Sequence, residues 1–295
     1  MTAAHIATDP LAGLSDETAA IAARARAAMA GAGPLGVAYS GGVDSAVVLA
    51  LAVAELGSAQ VVGILGISPS LAGQERIAAH DVAAVIGARV VEVATHEQDN
   101  ASYRANDVDR CFFCKDELFS RISDEVVTEH GLVSVAYGEN ADDAKRPDRP
   151  GALAATNHQV LRPLAEAGAT KAHVREIARA LELPCADKPA APCLASRIPH
   201  HQEVTPAKLR QVEQVEAGLR QLGFTDSRVR HHGDIARIEL PEEQIPRAAQ
   251  TPVRTEIHHL ATQAGFRFAT LDLRGIQSGA FTLSILNAKG GGNSQ

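Results

Sequence analysis

The chain has 295 residues, enough for one large domain or two smaller ones around a sizeable core, and its 45% hydrophobic and 21% charged residues describe an ordinary globular protein. A net charge of −7, with pI near 5.9, excludes broad nonspecific attraction to nucleic acid or acidic membranes. No apolar run is long enough to span a bilayer and the first residues lack a signal-peptide pattern, so we expect a cytoplasmic protein that binds neither membrane nor nucleic acid. In a reducing compartment the four cysteines suit metal ligation, redox chemistry or core packing better than structural disulfides.

Along the chain, residues 1–33 read as a tail followed by an Ala-rich helix capped at Ser15, with acidic residues in its first turn. Short apolar runs at Leu35–Tyr39, Val61–Ile67, Val90–Val93 and Leu132–Tyr137 read as strands, and helical patterns follow at about 44–56, 73–87 and 114–130. That alternation predicts an α/β fold with a doubly wound parallel sheet, whose ligands bind beyond the carboxyl ends of the strands. Ser40–Ser45, Gly66–Ser70 and Gly138–Asp143 then border one crevice.

Residues 40–45 read SGGVDS, a glycine turn between a buried strand and an apolar helix. Gly41 and Gly42 permit a tight turn and close approach, the hydroxyls of Ser40 and Ser45 add donors, and the helix N-terminus favours an anion. No GxxxxGK[ST] is present, so this phosphate-binding loop is not a Walker loop. Asp44 suits Mg²⁺ rather than phosphate.

Residues 138–168, rich in Pro, Gly and Asp, read as a long loop before a helix over about 170–183. The prolines of LPCADKPAAPCLASRIPHH then forbid a continuous helix or central strand. We place a tail and helix at 1–33, the nucleotide domain at 34–204, a smaller α+β domain at 205–289 and a disordered tail at 290–295.

Cys111 and Cys114 form a CxxC within RCFFCKDELF, and Cys193 lies in PCLASR. This set suits zinc completed by Cys185 or a histidine, or an iron–sulfur cluster; a redox pair or inert buried thiols also fit the spacing. SRVRHHGDIARIEL reads as a hairpin turning at Gly233-Asp234, which pairs His232 with Ile235, Arg230 with Arg237 and Arg228 with Glu239 on one face. Arg230 opposite Arg237 is a like-charge pair that an anionic ligand would relieve; the alternative is a solvated face on which Glu239 neutralises Arg228.

SGGVDS resembles the signature of PP-loop ATP pyrophosphatases. Together with RCFFCKDELF, GENADD, TKAHVREIARALELP, DKPAAPCLASRIP and RVRHHGDIARIE, it resembles the LarE family of ATP-dependent sulfur transferases over about residues 30 to 240. That resemblance implies adenylation of pyridinium-3,5-biscarboxylic acid mononucleotide and sulfur attack with AMP release, in the making of a nickel-pincer nucleotide cofactor. ATP and Mg²⁺ would be held by Ser40, Gly41, Gly42, Asp44, Ser45 and Gly138. Some members give up the sulfur of one cysteine matching Cys193; others hold a 4Fe-4S cluster on cysteines matching Cys111, Cys114 and Cys193. This chain has all three, which favours the cluster form and a catalytic set of Cys193, Cys111, Cys114 and Asp44. The resemblance gives Ser196 and Arg197 to ligand near Cys193, matches Arg228, Arg230 and Glu239 to substrate- or metal-binding positions and carries over Glu216, while the hairpin face adds Arg237 to the substrate set; the assembly is expected to be a homo-oligomer, and the sulfide source is open. Near the C-terminus LDLRGIQSGAFT departs from the family's LDLxGYRxGSLN, with Ile276-Gln277 in place of Tyr-Arg. Rival readings are a tRNA thiolation enzyme of the same superfamily, an amide-forming synthetase, and a nucleotide-binding protein with structural zinc.

Overall fold

Strand β1 (Leu35–Ala38) pairs in parallel with β2 (Val61–Ile67) on one side and β4 (Ser134–Tyr137) on the other, and β3 (Arg89–Ala94) extends the sheet beyond β2. The resulting order, β3-β2-β1-β4, reverses direction at β1, so the switch point of this parallel sheet lies between β1 and β4. The computed structural model describes residues 11, 13–145 and 151–276. It divides into two compact units, one of residues 1–68, 73–96 and 111–191, the other of residues 69–72, 97–110 and 192–295.

In the first unit, α1 (Asp16–Ala27) starts at Ser15, whose hydroxyl accepts from the Thr18 amide. It packs on α2 (Val43–Leu56), whose residues 45–52 are all buried, as befits a helix that is apolar all round. Helix α3 (Gly73–Ile86) precedes β3, and α4 (Arg110–Arg121), its first residue belonging to the second unit, packs Phe119 with Val62, Ile64, Val93 and Tyr137 into one core. Where one long loop was expected over 138–168, short helices occur at Ala141–Ala144, Gly151–Asn157 and Pro163–Glu166. Asn140 caps the first by accepting from the Asp142 and Asp143 amides, and Pro163 opens the last. Helix α5 (Lys171–Ala180) follows, with a capping box at Thr170.

In the second unit, α6 (Pro206–Gln221) and α7 (Val253–Gln263) pack together beside a three-stranded sheet, order β5-β6-β7. Strands β5 (Arg228–His232) and β6 (Ile235–Glu239) have the register read from the sequence: Arg228 opposite Glu239, Arg230 opposite Arg237 and His232 opposite Ile235. Val229, Ala236 and Ile238 fill the buried face. Strand β7 (Phe268–Leu271), which the sequence reading passed over, joins β6 in parallel. The fold is thus α/β with a smaller α+β unit. No helix among the described residues is long and apolar enough to cross a membrane. Gln277 and the tail 290–295 lie outside the described residues.

Candidate active site

Beyond the carboxyl end of β1 the chain turns through Ser40–Gly42 into α2. Gly41 takes φ +73°, and a Cβ there would stand 2.7 Å from the Cβ of Ala79. The two hydroxyls of the loop are close, Ser40 Oγ to Ser45 Oγ 3.2 Å, and Ser45 Oγ donates to the Gly42 carbonyl at 3.0 Å. Gly42 caps α2 with no side chain, so the positive end of a long helix faces the turn. Gly138, which follows β4, presses on the same helix end: a Cβ on it would lie 2.6 Å from the Ser45 nitrogen. Ser40, Gly42, Asp44, Ser45, Lys115 and Gly138 line a cavity of about 200 Å³ at the switch point. That volume suits the phosphate end of a nucleotide. Gly138→Ala should keep the fold but push this turn out of place, weakening nucleotide binding by about 5- to 150-fold, given the ~1–3 kcal/mol typical of overpacking. Titration calorimetry with ATP would detect this, and unchanged affinity would show that the turn yields freely.

Asp44 is more enclosed than a bare loop carboxylate. Asn140 Nδ2 donates to its Oδ1 at 3.1 Å and Lys171 Nζ to its Oδ2 at 2.5 Å. Its charge and oxygen chemistry fit a magnesium ion, with the Lys171 side as the position it would yield. Neither Lys171 nor Lys115 was singled out from the sequence as a site residue. Lys115 directly follows the CxxC, and its ammonium lies 4.5 Å over the ring of Tyr137. The Tyr137 phenol is pushed well above its ordinary pKa by burial and by the neighbouring Glu139, so it stays protonated near neutrality.

Cys111 and Cys114 stand one turn apart on α4, the first exposed and the second half-buried. Cys185, by contrast, is buried, and desolvation pushes its thiol pKa up. In the second unit Cys193 is exposed and opens a single turn, Leu194–Arg197. Among the described residues of either unit, no three His, Cys, Asp or Glu side chains are gathered as around a metal ion. All four cysteines are free thiols.

Six of the seven residues expected at the substrate form a connected network in the second unit. Arg197 donates to Glu216 through Nε at 2.9 Å, and to the Pro192 carbonyl and Ser196 Oγ through Nη1. Arg230 grips Glu239 with two bonds, 3.0 and 2.8 Å, and donates to the Ser196 carbonyl at 3.1 Å. Glu239 also accepts from Arg237 at 2.8 Å, and Arg237 Nε lies 3.4 Å from Asp272. The anion between Arg230 and Arg237 is therefore the chain's own Glu239 carboxylate. Ser196, Arg197, Glu216, Arg230, Arg237 and Glu239 are joined in this way, while Arg228 donates to Asp226 and the Ser227 carbonyl. Arg197, Arg230, Glu216 and Glu239 are each under 6% exposed, which fixes their geometry more tightly than a solvated face could.

Comparisons with known proteins bear on both units. The model of the asparagine synthase family matches residues 18–126. An uncharacterized protein of Synechocystis sp. is 43% identical over 243 residues, 82% of this chain and 90% of its own. The pyridinium-3,5-bisthiocarboxylic acid mononucleotide synthase of Lactiplantibacillus plantarum is 32% identical over 253 residues, 86% of this chain and 90% of its own. An uncharacterized protein of Methanocaldococcus jannaschii is 29% identical over 135 residues, 46% of this chain and 52% of its own.

Proposed function

The chain belongs to the LarE family of PP-loop sulfur transferases, and from that premise we propose that it converts pyridinium-3,5-biscarboxylic acid mononucleotide to the bisthiocarboxylic acid, using ATP. The observation that carries the reading is the SGGVDS turn seated at the β1/β4 switch point. Loop amides, the helix end and the two serine hydroxyls hold the β and γ phosphates, leaving the α-phosphorus open to a carboxylate of the acceptor. A carboxylate oxygen is a poor leaving group, whereas an acyl-adenylate releases AMP readily to a sulfur nucleophile. Asp44 would hold Mg²⁺, which when bound would supply positive charge against departing pyrophosphate.

Cys111, Cys114 and Cys193 would hold a 4Fe-4S cluster, which when bound would supply sulfide. Glu216, Arg228, Arg230, Arg237 and Glu239 of the smaller domain, which we place at residues 205–289, would bind and orient the acceptor together with Ser196 and Arg197 at the end of a nucleotide domain over 34–204. We assign the protein to the cytoplasm as a homo-oligomer.

The test is turnover of the full chain, reconstituted anaerobically with iron and sulfide, on the mononucleotide with ATP and Mg²⁺. AMP, pyrophosphate and thiocarboxylate should form repeatedly. Thiolation of tRNA with the mononucleotide left unchanged would move the acceptor to the rival reading. Serine at Cys111, Cys114 or Cys193 should abolish bound iron, while Cys185→Ser should retain it, because the Cys185 thiol is enclosed in the first unit. Equal iron loss from all four variants, or zinc in place of iron, would defeat the three-thiolate cluster. Peptide mass spectra add a further arm: dehydroalanine at residue 193 in proportion to product would show that the protein's own sulfur is consumed.

A further inference from the structure

Asn106 lies in the second unit, fully buried, and ends the short helix Ala101–Ala105 in the left-handed conformation, φ 58° and ψ 42°. Its carboxamide nitrogen points at three backbone carbonyls of one loop, Ile198 at 3.2 Å, Pro199 at 2.7 Å and Gln202 at 3.1 Å. Its carboxamide oxygen accepts from Arg110 Nη1 at 2.5 Å, and that same nitrogen donates to the Ala195 carbonyl at 2.9 Å. The Asn106 carbonyl accepts from the His201 amide and from His200 Nδ1, which assigns the proton of that ring to Nδ1. Its own amide donates to the Tyr103 carbonyl, so every polar atom of the residue is used. At its other end the loop is held by the Leu194 amide, which donates to the Ser70 carbonyl at 2.9 Å. The Ser70 and Tyr103 hydroxyls are 2.6 Å apart and buried.

We propose that Asn106, braced by Arg110, is the positioning residue of the loop that carries Cys193, Ser196 and Arg197. Residues 192–202 contain two prolines and only one turn of helix, so they have little backbone pairing of their own. The carboxamide supplies that pairing from outside. No other side chain meets both demands at this position. Aspartate would aim an anion at three carbonyl oxygens, glutamine is a methylene too long and disfavours the left-handed backbone, and glycine accepts the backbone but has no amide. The catalytic consequence rests on the sulfur-transfer reading above, whereas the loop's fixation does not.

The experiment compares the full chain with Asn106→Gly, which keeps the left-handed backbone, and with Arg110→Gln, which removes one clamp only. Hydrogen–deuterium exchange should accelerate about tenfold or more at the amides of residues 194–202, as expected when local opening becomes easier, and stay unchanged in α6 and α7. In the full chain, affinity for ATP alone should stay as in the wild type. Thiocarboxylate formation should fall by about 100-fold, the scale of a 1 Å misplacement. Unchanged hydrogen exchange in the loop, or an equal loss of affinity for ATP, would overturn the proposal. A wild-type protein that forms no thiocarboxylate would instead defeat the functional reading and leave the exchange result standing. Should Asn106→Gly fail to fold, Arg110→Gln is read by the same two measurements and the same two outcomes.

Discussion

Replacing Asp44 by alanine is expected to abolish formation of AMP and pyrophosphate. The carboxylate is addressed from two sides in the nucleotide cavity, by Asn140 and by Lys171. Its removal takes away the oxygen ligand proposed for Mg²⁺ and leaves the Lys171 ammonium with no counter-charge at that point of the cavity. Loss of a single preorganised charge-stabilising group costs about 10²–10³ in rate, and loss of metal assistance adds to it. A radiolabelled ATP assay that separates the products is the measurement. Asp44→Ala should show background cleavage with the fold intact by circular dichroism. ADP and orthophosphate as the main products of the wild type would sink the PP-loop chemistry itself.

The second large effect is on stability. Glu239 is wholly buried between Arg230 and Arg237, and no water competes for its oxygens. Glu239→Ala would leave two guanidinium groups facing each other across the hairpin, one of them only 5% exposed. Breaking a buried pair in this way costs about 3–5 kcal/mol, because the surviving charge stays out of water. Urea denaturation followed by hydrogen exchange at β5 and β6 should register that loss, while the parallel sheet of the first unit should keep its protection. A loss under about 1 kcal/mol, the range of exposed pairs, would mean that solvent reaches these arginines.

Several elements were legible because their signals are local. The Ser15 cap, the glycine turn at 40–42 and the hairpin register set by Gly233-Asp234 each need only a few adjacent residues. The short helices within 138–168 escaped because four to seven residues are too few to show a period. Strand β7 escaped because FATL is half-exposed and carries no alternation. The site was legible in its chemistry but not in its wiring. Lys171 meets Asp44 across 127 positions, and Asn106 meets its carbonyl partners across more than ninety. No local pattern encodes such pairs. The burial of Arg197 and Arg230 was not legible, because only the carboxylates of Glu216 and Glu239, brought in by the fold, make it tolerable.

The second unit is assembled from residues 69–72, 97–110 and 192 onward, which makes its completion a question of timing during synthesis. The strands of the parallel sheet have all been made by Tyr137. The Asn106 segment, made earlier still, must wait for its partners. The loop that supplies them, residues 195–202, emerges about 90 residues after Asn106, a delay of roughly 5–20 s at ordinary rates of translation. For that interval a carboxamide and a guanidinium destined for burial stay hydrated. Closing so long a loop costs chain entropy before any contact offsets it, so the smaller unit should set the pace of folding even though the larger one holds the nucleotide cavity.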